Sequence, residues 1–272
     1  MTDPLLLQPI GVVRSPFRTT HEIPLQGGPA TLEVYPAFAD GLEGLDGSSH
    51  LVVMGHLHLA DRSALKTRPT KIDPNAPEKG VFATRSPARP NPISLTVVAL
   101  LKRYDLRLDV EHLDLVDGTP LIDIKAYSPG WDSVFCARHK HRASPTAIND
   151  ERLVACLERG LFNFMGHVAT DPAARWSLAA TFVGTRTLGV DPRDPSMGVQ
   201  VNRSGTTTEA LMALTGAAAF NKRLVAVPDE SALRVCLSSG PRRVELVAVH
   251  TDLPGDCGSW IDAFAVTVSD NL

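Results

Sequence analysis

Short runs of β-branched and other apolar residues, separated by Gly, Pro and Asp, recur through the first half of this chain of 272 residues. Such regular spacing of short strands and polar turns favours a compact antiparallel sheet or barrel. Apolar and polar residues alternate within residues 106–115, so one face of that strand is expected to contact solvent. Strands are predicted at residues 10–13, 30–34, 50–57, 80–84, 93–101, 106–115 and 121–127.

The second half of the chain has a different pattern. Residues 131–149 are polar and basic and contain Pro145, which indicates a domain junction. Beyond the junction the pattern predicts helices at 150–158, ended by Gly160, and at 206–219, with β-like runs at 223–227 and 243–250. The predicted fold class is therefore α+β with two domains, residues 1–140 and 146–272, the second of mixed α and β structure.

The charge pattern argues against nucleic-acid binding by bulk charge. The formal net charge is −3, and the first 145 residues carry equal numbers of basic and acidic side chains. Residues 138–142, RHKHR, are one local basic patch. The sequence has no apolar run long enough to cross a bilayer and no signal-peptide pattern, so we expect a cytoplasmic protein with no membrane partner.

The histidines and cysteines of the chain do not predict a metal site. His56 and His58 lie on one face of an apolar strand, but the sequence offers no third ligand nearby, which favours ordinary core or cleft histidines. The cysteines are far apart and lack the Cys-x-x-Cys spacing of zinc or redox sites, so they are expected to be free thiols. They are Cys136, Cys156, Cys236 and Cys257.

Residues 80–92 read GVFATRSPARPNP, in which an apolar run passes directly into a loop with three prolines. Each proline fixes its own φ and favours an extended residue before it, so the loop loses little entropy when a ligand binds. Arg85 and Arg89 offer planar donor groups to a carboxylate or phosphate, and Asn91 can donate and accept. The same composition also fits a surface loop that merely ends a strand, and these residues alone leave both interpretations open.

Other segments of the first half could line a site with this loop. Residues 24–28, PLQGG, would let backbone amides approach a ligand, and Asp114 and Asp117 stand at the end of a predicted strand. For Asp117, ordinary turn chemistry is the slightly favoured interpretation. The chain has neither a dinucleotide-binding glycine pattern nor a Walker loop. The residues therefore predict a β-rich domain that binds a small anionic or zwitterionic ligand.

Four segments together resemble the TrmO (TsaA-like, YaeB) family, over about residues 8–135. They are IGVVRSPF at 10–17, GLEGL at 41–45, the loop at 80–92, and DLVDGTPLIDIK at 114–125. Members of that family are S-adenosyl-L-methionine-dependent methyltransferases that act on N6 of threonylcarbamoyladenosine beside the tRNA anticodon. The resemblance therefore implies this activity for the present chain. It also implies a small antiparallel β-barrel, a homodimer, and a cofactor held among loops.

The resemblance also implies which residues form the site. A cofactor carboxylate suits an arginine, and its adenine suits backbone groups near Val116 and Gly118. The catalytic candidates are Asp117 and Asp132 as proton acceptors and Tyr127 on the acceptor side. The implied cofactor-binding residues are Gln26, His58, Leu59, Arg85, Arg89, Leu115, Val116, Asp117 and Gly118, together with Asn91 in the proline loop.

The chain departs from the family pattern at three positions. Leu25 stands where the family often has arginine, Ser94 replaces a frequent glycine, and Ala126 replaces a proline. The missing arginine and the neutral first half both weaken the case for a tRNA acceptor.

A second, more distant resemblance covers about residues 150–250 and is to the FmdE family, whose domains often bind metal through cysteines. It depends on FMGH at 164–167 and on the segment 202–216. Ala169, Gly205 and Ala217 stand where those cysteines are expected, which leaves His167 as the single retained ligand. A lost metal site is expected.

The leading hypothesis is thus a methyltransferase that uses S-adenosyl-L-methionine, with tRNA threonylcarbamoyladenosine as the implied acceptor. A second hypothesis keeps the cofactor but replaces tRNA by a small molecule bound between the two domains. A third is a non-catalytic S-adenosyl-L-methionine sensor or scaffold.

Overall fold

A computed structural model describes residues 6–70, 76–134, 137, 148–166 and 168–270. These residues form two compact units, one of residues 6–70 and 76–133, the other from residue 134 onward. The predicted domain limits at residues 140 and 146 lie outside the described residues and stay a prediction. Among the helices described, none is both long and apolar enough to cross a membrane.

The first unit is a closed antiparallel barrel of six strands, which confirms the predicted architecture. The barrel strands are β1 Gly11–Arg14, β2 Gly28–Val34, β3 His50–Gly55, β6 Thr96–Tyr104, β7 Arg107–Leu113 and β8 Pro120–Ala126. Around the barrel they follow the order β1-β2-β7-β6-β3-β8. Two further strands, β4 Lys66–Thr67 and β5 Lys79–Gly80, pair with each other, and a short helix, α1, spans Pro129–Asp132.

Alternating side chains of these strands fill the barrel. Leu32, Leu51, Leu108 and Leu121 have no exposed surface and belong to one apolar cluster. Each such leucine contributes about 1.5–3 kcal/mol by leaving water. The register of β2 with β7 and that of β3 with β8 shift near Gly28 and Gly55. Such bulges bend strands where a barrel opens.

The strand predicted at residues 80–84 is wrong beyond its first residue. β5 ends at Gly80, and Val81–Ala83 form a 3-10 turn in which only Val81 is buried. Phe82 is 82% exposed. The carbonyl groups of Val81 and Thr84 accept hydrogen bonds from Arg89 instead of from a neighbouring strand.

The second unit combines a mixed five-stranded sheet with helices, as predicted. The strands are β9 Met197–Val201, β10 Leu224–Ala226, β11 Arg234–Ser239, β12 Arg242–Ala248 and β13 Phe264–Asp270, in the order β10-β9-β11-β12-β13. The helices are α2 Asp150–Met165, α3 Pro172–Leu188 and α4 Thr206–Thr215. His167 lies outside the described residues, and within them no three His, Cys, Asp or Glu side chains are close enough to hold a metal. The FmdE resemblance stays a prediction.

Helix α3, which the sequence pattern did not predict, forms the centre of this unit. It begins at Pro172 after Asp171, whose carboxylate accepts hydrogen bonds from two backbone amides, and its end is capped by Gly189 with φ +68°. Nearly every residue from Ala174 to Thr185 is buried. A helix surrounded by protein has no polar stripe, so periodicity does not reveal it. Gly160 does not end α2, which continues to a left-handed Gly166.

Gly184 allows α3 to approach the sheet closely. A Cβ atom at Gly184 would overlap Leu237 Cδ1 of β11, whereas one at Gly160 of α2 would have no atom within 4 Å. We expect Gly184→Ala to lower the free energy of unfolding by about 1–3 kcal/mol because it overpacks the core. The matched variant Gly160→Ala should raise it by about 0.5–1 kcal/mol. Urea unfolding of both variants measures this, and equal stabilities would contradict the packing.

Candidate functional site

Four connections between strands meet at one end of the barrel. They are residues 15–27 between β1 and β2, residues 56–59 after β3, residues 84–95 before β6, and residues 114–119 between β7 and β8. We call this the loop end. Hydrogen bonds join the four connections to one another.

The end of β3 is tied to the proline loop through Gly55. Gly55 N–H donates to Ser94 Oγ at 2.8 Å, and Ser94 N–H donates to the Gly55 carbonyl at 2.8 Å. A Cβ atom at Gly55 would lie 2.8 Å from Leu115 Cδ1 and 3.1 Å from both Ser94 Oγ and Thr119 Cγ2. Glycine is therefore required for three connections to close around this strand end.

Two further backbone bonds extend this contact beyond β3. Leu57 N–H donates to the Pro92 carbonyl at 2.7 Å, and His56 N–H donates to the Pro120 carbonyl at 2.9 Å. His58 and Leu59 follow, and both are exposed, Leu59 by 70%. The two residues predicted from sequence thus stand at the rim of the loop end.

The two arginines of the proline loop have different surroundings. Arg89 is half-buried, and its Nε and Nη2 atoms donate to the carbonyls of Ser86 at 2.8 Å, Thr84 at 2.6 Å and Val81 at 3.1 Å. Arg85 is exposed, and its Nη2 donates to the carbonyl of Leu95. Arg89 therefore holds the loop in shape, while Arg85 presents its charge to solvent.

The connection between β7 and β8 contributes carboxylates and backbone groups. Asp114 is exposed and accepts a 2.5 Å hydrogen bond from Thr96 Oγ1 of β6. The next two residues, Leu115 and Val116, are buried, with only 2% and 7% exposure. Gly118 has φ +75° and no atom within 4 Å of a Cβ position, so the turn leaves open space beside its backbone.

Asp117 joins this connection to residues 15–27, and Gly27 packs against the end of β7. Asp117 N–H donates to the Phe17 carbonyl at 2.7 Å, and its Oδ1 accepts from Ser15 N–H at 3.2 Å. Gly27 has φ +76°, and a Cβ atom there would lie 2.6 Å from the His112 carbonyl oxygen. Gln26, beside it, is half-buried.

Hydrogen bonds lower the pKa of two carboxyl groups, Glu22 at the loop end and Asp61 just beyond residues 56–59. The backbone amides of Arg18 and Thr19 donate to Glu22 and lower its pKa. Hydrogen bonds from the Ser63 hydroxyl and amide lower the pKa of Asp61, which follows β3. The loop end thus presents both cationic and anionic groups, which suits a zwitterionic ligand.

The structure brings most of the predicted site residues together at the loop end. Tyr127 and Asp132 are the exceptions, because β8 runs from Pro120 at the loop end to Ala126 beside the start of β3. Tyr127 N–H donates to the His50 carbonyl at 3.0 Å, about 20 Å along the strand from the loop end. Asp132 is exposed and accepts from Ser128 N–H at 2.7 Å. The residues found at the loop end are Gln26, His58, Leu59, Arg85, Arg89, Asn91, Leu115, Val116, Asp117 and Gly118.

Sequence reasoning missed the pairing of Thr96 with Asp114. Thr96 is buried, with 9% exposure, and it begins an apolar strand. A hydroxyl at an inward position next to a strand end is the signal that could have indicated a partner.

The loop-bearing unit matches a known family. The model of the tRNA-methyltransferase O N-terminal domain, TrmO_N, matches residues 12–133, and the first structural unit ends at the same residue.

Curated relatives match about half of the chain. An S-adenosyl-L-methionine-binding protein of Archaeoglobus fulgidus is 42% identical over 134 residues, 48% of this chain and 94% of the relative. A probable S-adenosyl-L-methionine-binding protein of Pyrococcus abyssi is 40% identical over 139 residues, 48% of this chain and 74% of the relative. The tRNA (adenine(37)-N6)-methyltransferase of Escherichia coli is 37% identical over 138 residues, 46% of this chain and 58% of the relative.

Arg89 is expected to keep the proline loop ordered. Arg89→Lys removes the planar group that reaches three carbonyls, so exchange of the hydrogen-bonded amides of Val81, Thr84 and Ser86 should accelerate by about tenfold. Hydrogen exchange with mass spectrometry measures this. The control is Arg62→Lys, because Arg62 Nε reaches the Pro90 carbonyl only at 3.4 Å. Equal exchange in both variants would contradict the role of Arg89.

Proposed function

The chain belongs to the TrmO family, and on that premise we propose that its barrel binds S-adenosyl-L-methionine at the loop end and transfers the methyl group to an acceptor. The observation that supports this most is that four connections meet at the loop end, three of them around Gly55, with cationic, anionic and backbone groups beside them. The names of the archaeal relatives support cofactor binding. The name of the Escherichia coli relative supports methyl transfer to adenine of tRNA.

The residues at the loop end fit the chemical groups of this cofactor. Arg85 is an exposed guanidinium and would pair with the cofactor carboxylate. The backbone of Val116 and Gly118, beside open space, offers donors and acceptors to adenine. The Asp114 carboxylate, fixed by Thr96, offers a negative charge to the sulfonium. When bound, S-adenosyl-L-methionine supplies an electrophilic methyl group.

The protein contributes mainly by orientation. Three prolines and the carbonyl bonds of Arg89 fix the loop before a ligand binds, so little entropy is lost on binding. Correct orientation of two reacting groups alone supplies several kcal/mol, up to about 7–11 in well-aligned systems. Asp117 is the single catalytic candidate that lies at the loop end. Its Oδ1 already accepts from Ser15, which favours a role in shaping the turn.

For the acceptor, we propose N6-threonylcarbamoyladenosine of tRNA. The family and the Escherichia coli relative support it. The neutral charge of the first 145 residues instead favours a small acceptor, and this is the second candidate. The third candidate is a sensor that binds the cofactor without catalysis, and the experiments must distinguish it from the two methyltransferases.

Cofactor binding is tested by calorimetric titration with S-adenosyl-L-methionine. Arg85→Ala should weaken binding by about tenfold or more, because it removes a charge-assisted hydrogen bond. The control is Arg107→Ala, which removes an exposed arginine that pairs with Glu33 at the opposite end of the barrel. Equal affinity in the two variants would contradict the placement of the cofactor at Arg85.

The acceptor is tested with cofactor carrying a labelled methyl group. We expect label on N6 of threonylcarbamoyl-modified tRNA and none on the same tRNA without the modification. Label in small molecules of a metabolite extract, with none in tRNA, would replace tRNA by the second candidate. Cofactor binding without transfer to either would favour the sensor.

A further inference from the structure

Strand β13 forms an open edge of the sheet in the second unit. Its seven residues, Phe264–Asp270, pair with Arg242–Ala248 of β12 in an unbroken antiparallel register. No strand among the described residues pairs with its other side. An open edge offers its unpaired N–H and C=O groups to another strand.

One backbone bond shows which residues of β13 face that open side. Val249 N–H donates to the Ala263 carbonyl at 3.0 Å, in line with the register of β12 and β13. The bonding direction alternates along an antiparallel strand. Ala265, Thr267 and Ser269 therefore point their backbone groups toward β12. The residues that point theirs toward the open side are Phe264, Val266, Val268 and Asp270.

The apolar face of the sheet continues to this edge, where its side chains are partly exposed. Val268 pairs with Val244, and Val266 pairs with Leu246, so all four side chains lie on one face. Val244 and Leu246 have no exposed surface, whereas Val266 is 36% and Val268 50% exposed. The strand also lacks the proline, bulge or central charge that usually protects an edge.

We propose that β13 pairs antiparallel with β13 of a second copy of this chain, across a two-fold axis at Thr267. The sequence around Thr267 is nearly symmetric, reading Ala-Val-Thr-Val-Ser over residues 265–269. The axis places Val266 opposite Val268 of the second copy and small Ala265 opposite small Ser269. All seven residues then have partners, and a shift of the axis by one residue leaves two without one.

Backbone geometry and charge both fit this pairing. Val266 and Val268 use their outward groups in hydrogen-bonded pairs, and the two Thr267 residues form a non-hydrogen-bonded pair with Cα atoms about 4.5 Å apart. Glu245 of β12 pairs with Thr267 and is therefore the acidic residue nearest to the proposed axis. The two copies of Glu245 would lie three strand spacings apart, about 14 Å, beyond the Debye length of about 8 Å.

The opposite edge of the sheet is a poorer partner for β13. β10 has only three residues, Leu224–Ala226, although its Val225 is also 50% exposed. Pairing of β13 with β10 of another copy would join unlike surfaces and extend into a filament. Pairing of β13 with itself closes a dimer. It involves only the second unit and is independent of the function proposed for the first.

A cysteine at the axis tests the pairing and its register together. Thr267→Cys should form a disulfide-linked dimer under mild oxidation, because residues opposite each other at this spacing satisfy disulfide geometry. The matched control Ala265→Cys should not, because its partner is Ser269. The unchanged protein, whose Cys156 is exposed, gives the background. Absence of a Thr267→Cys dimer, or equal cross-linking in both variants, would overturn the proposal, whatever other surfaces associate.

A charge at the edge tests the association without oxidation. Val268→Lys should lower the average mass by about twofold in sedimentation over about 1–100 µM, because it buries an unpaired ammonium group in the pair. Val225→Lys, on a valine of equal exposure at the other edge, should leave the mass unchanged. Thermal unfolding checks that both variants fold. The same average mass in both variants, or a lower average mass only in Val225→Lys, would contradict pairing through β13.

Discussion

The contact of Gly55 with Ser94 is the constraint on which the loop end depends. Two backbone groups of Gly55 bond to Ser94, and the missing side chain leaves room for Leu115 and Thr119. The end of one barrel strand thereby touches both the proline loop and the connection between β7 and β8. The barrel core fixes where β3 ends, so packing in the core determines the geometry of the site.

Rigidity and recognition are separated within the proline loop. Arg89 donates hydrogen bonds to three carbonyl groups of its own loop, whereas Arg85 remains exposed. The first arginine reduces the entropy lost on binding, and the second supplies a charge to a ligand. The same division occurs between Thr96 and Asp114, where a buried hydroxyl orients an exposed carboxylate.

Much of the fold could be predicted from the sequence, because alternation reveals strands with one wet face. Leu32 of β2 and Leu108 of β7 follow that rule. Helix α3 was not predicted because it is buried on all sides and has no polar stripe. Residues 81–84 were wrongly predicted as a strand because Arg89 binds the carbonyl groups that a neighbouring strand would use. For the site, the resemblance indicated loops that the structure brings together at one end of the barrel. It could not show that β8 carries Tyr127 away from them, because that depends on the register of the barrel.

The central claim is that the loop end of the barrel binds S-adenosyl-L-methionine, and backbone amide NMR of the full chain tests it most directly. Titration with the cofactor should shift the amide signals of residues 55–59, 84–95 and 114–119, and leave those of β11 and β12 unchanged. Shifts confined to the second unit, or no shifts at a saturating cofactor concentration, would contradict the account.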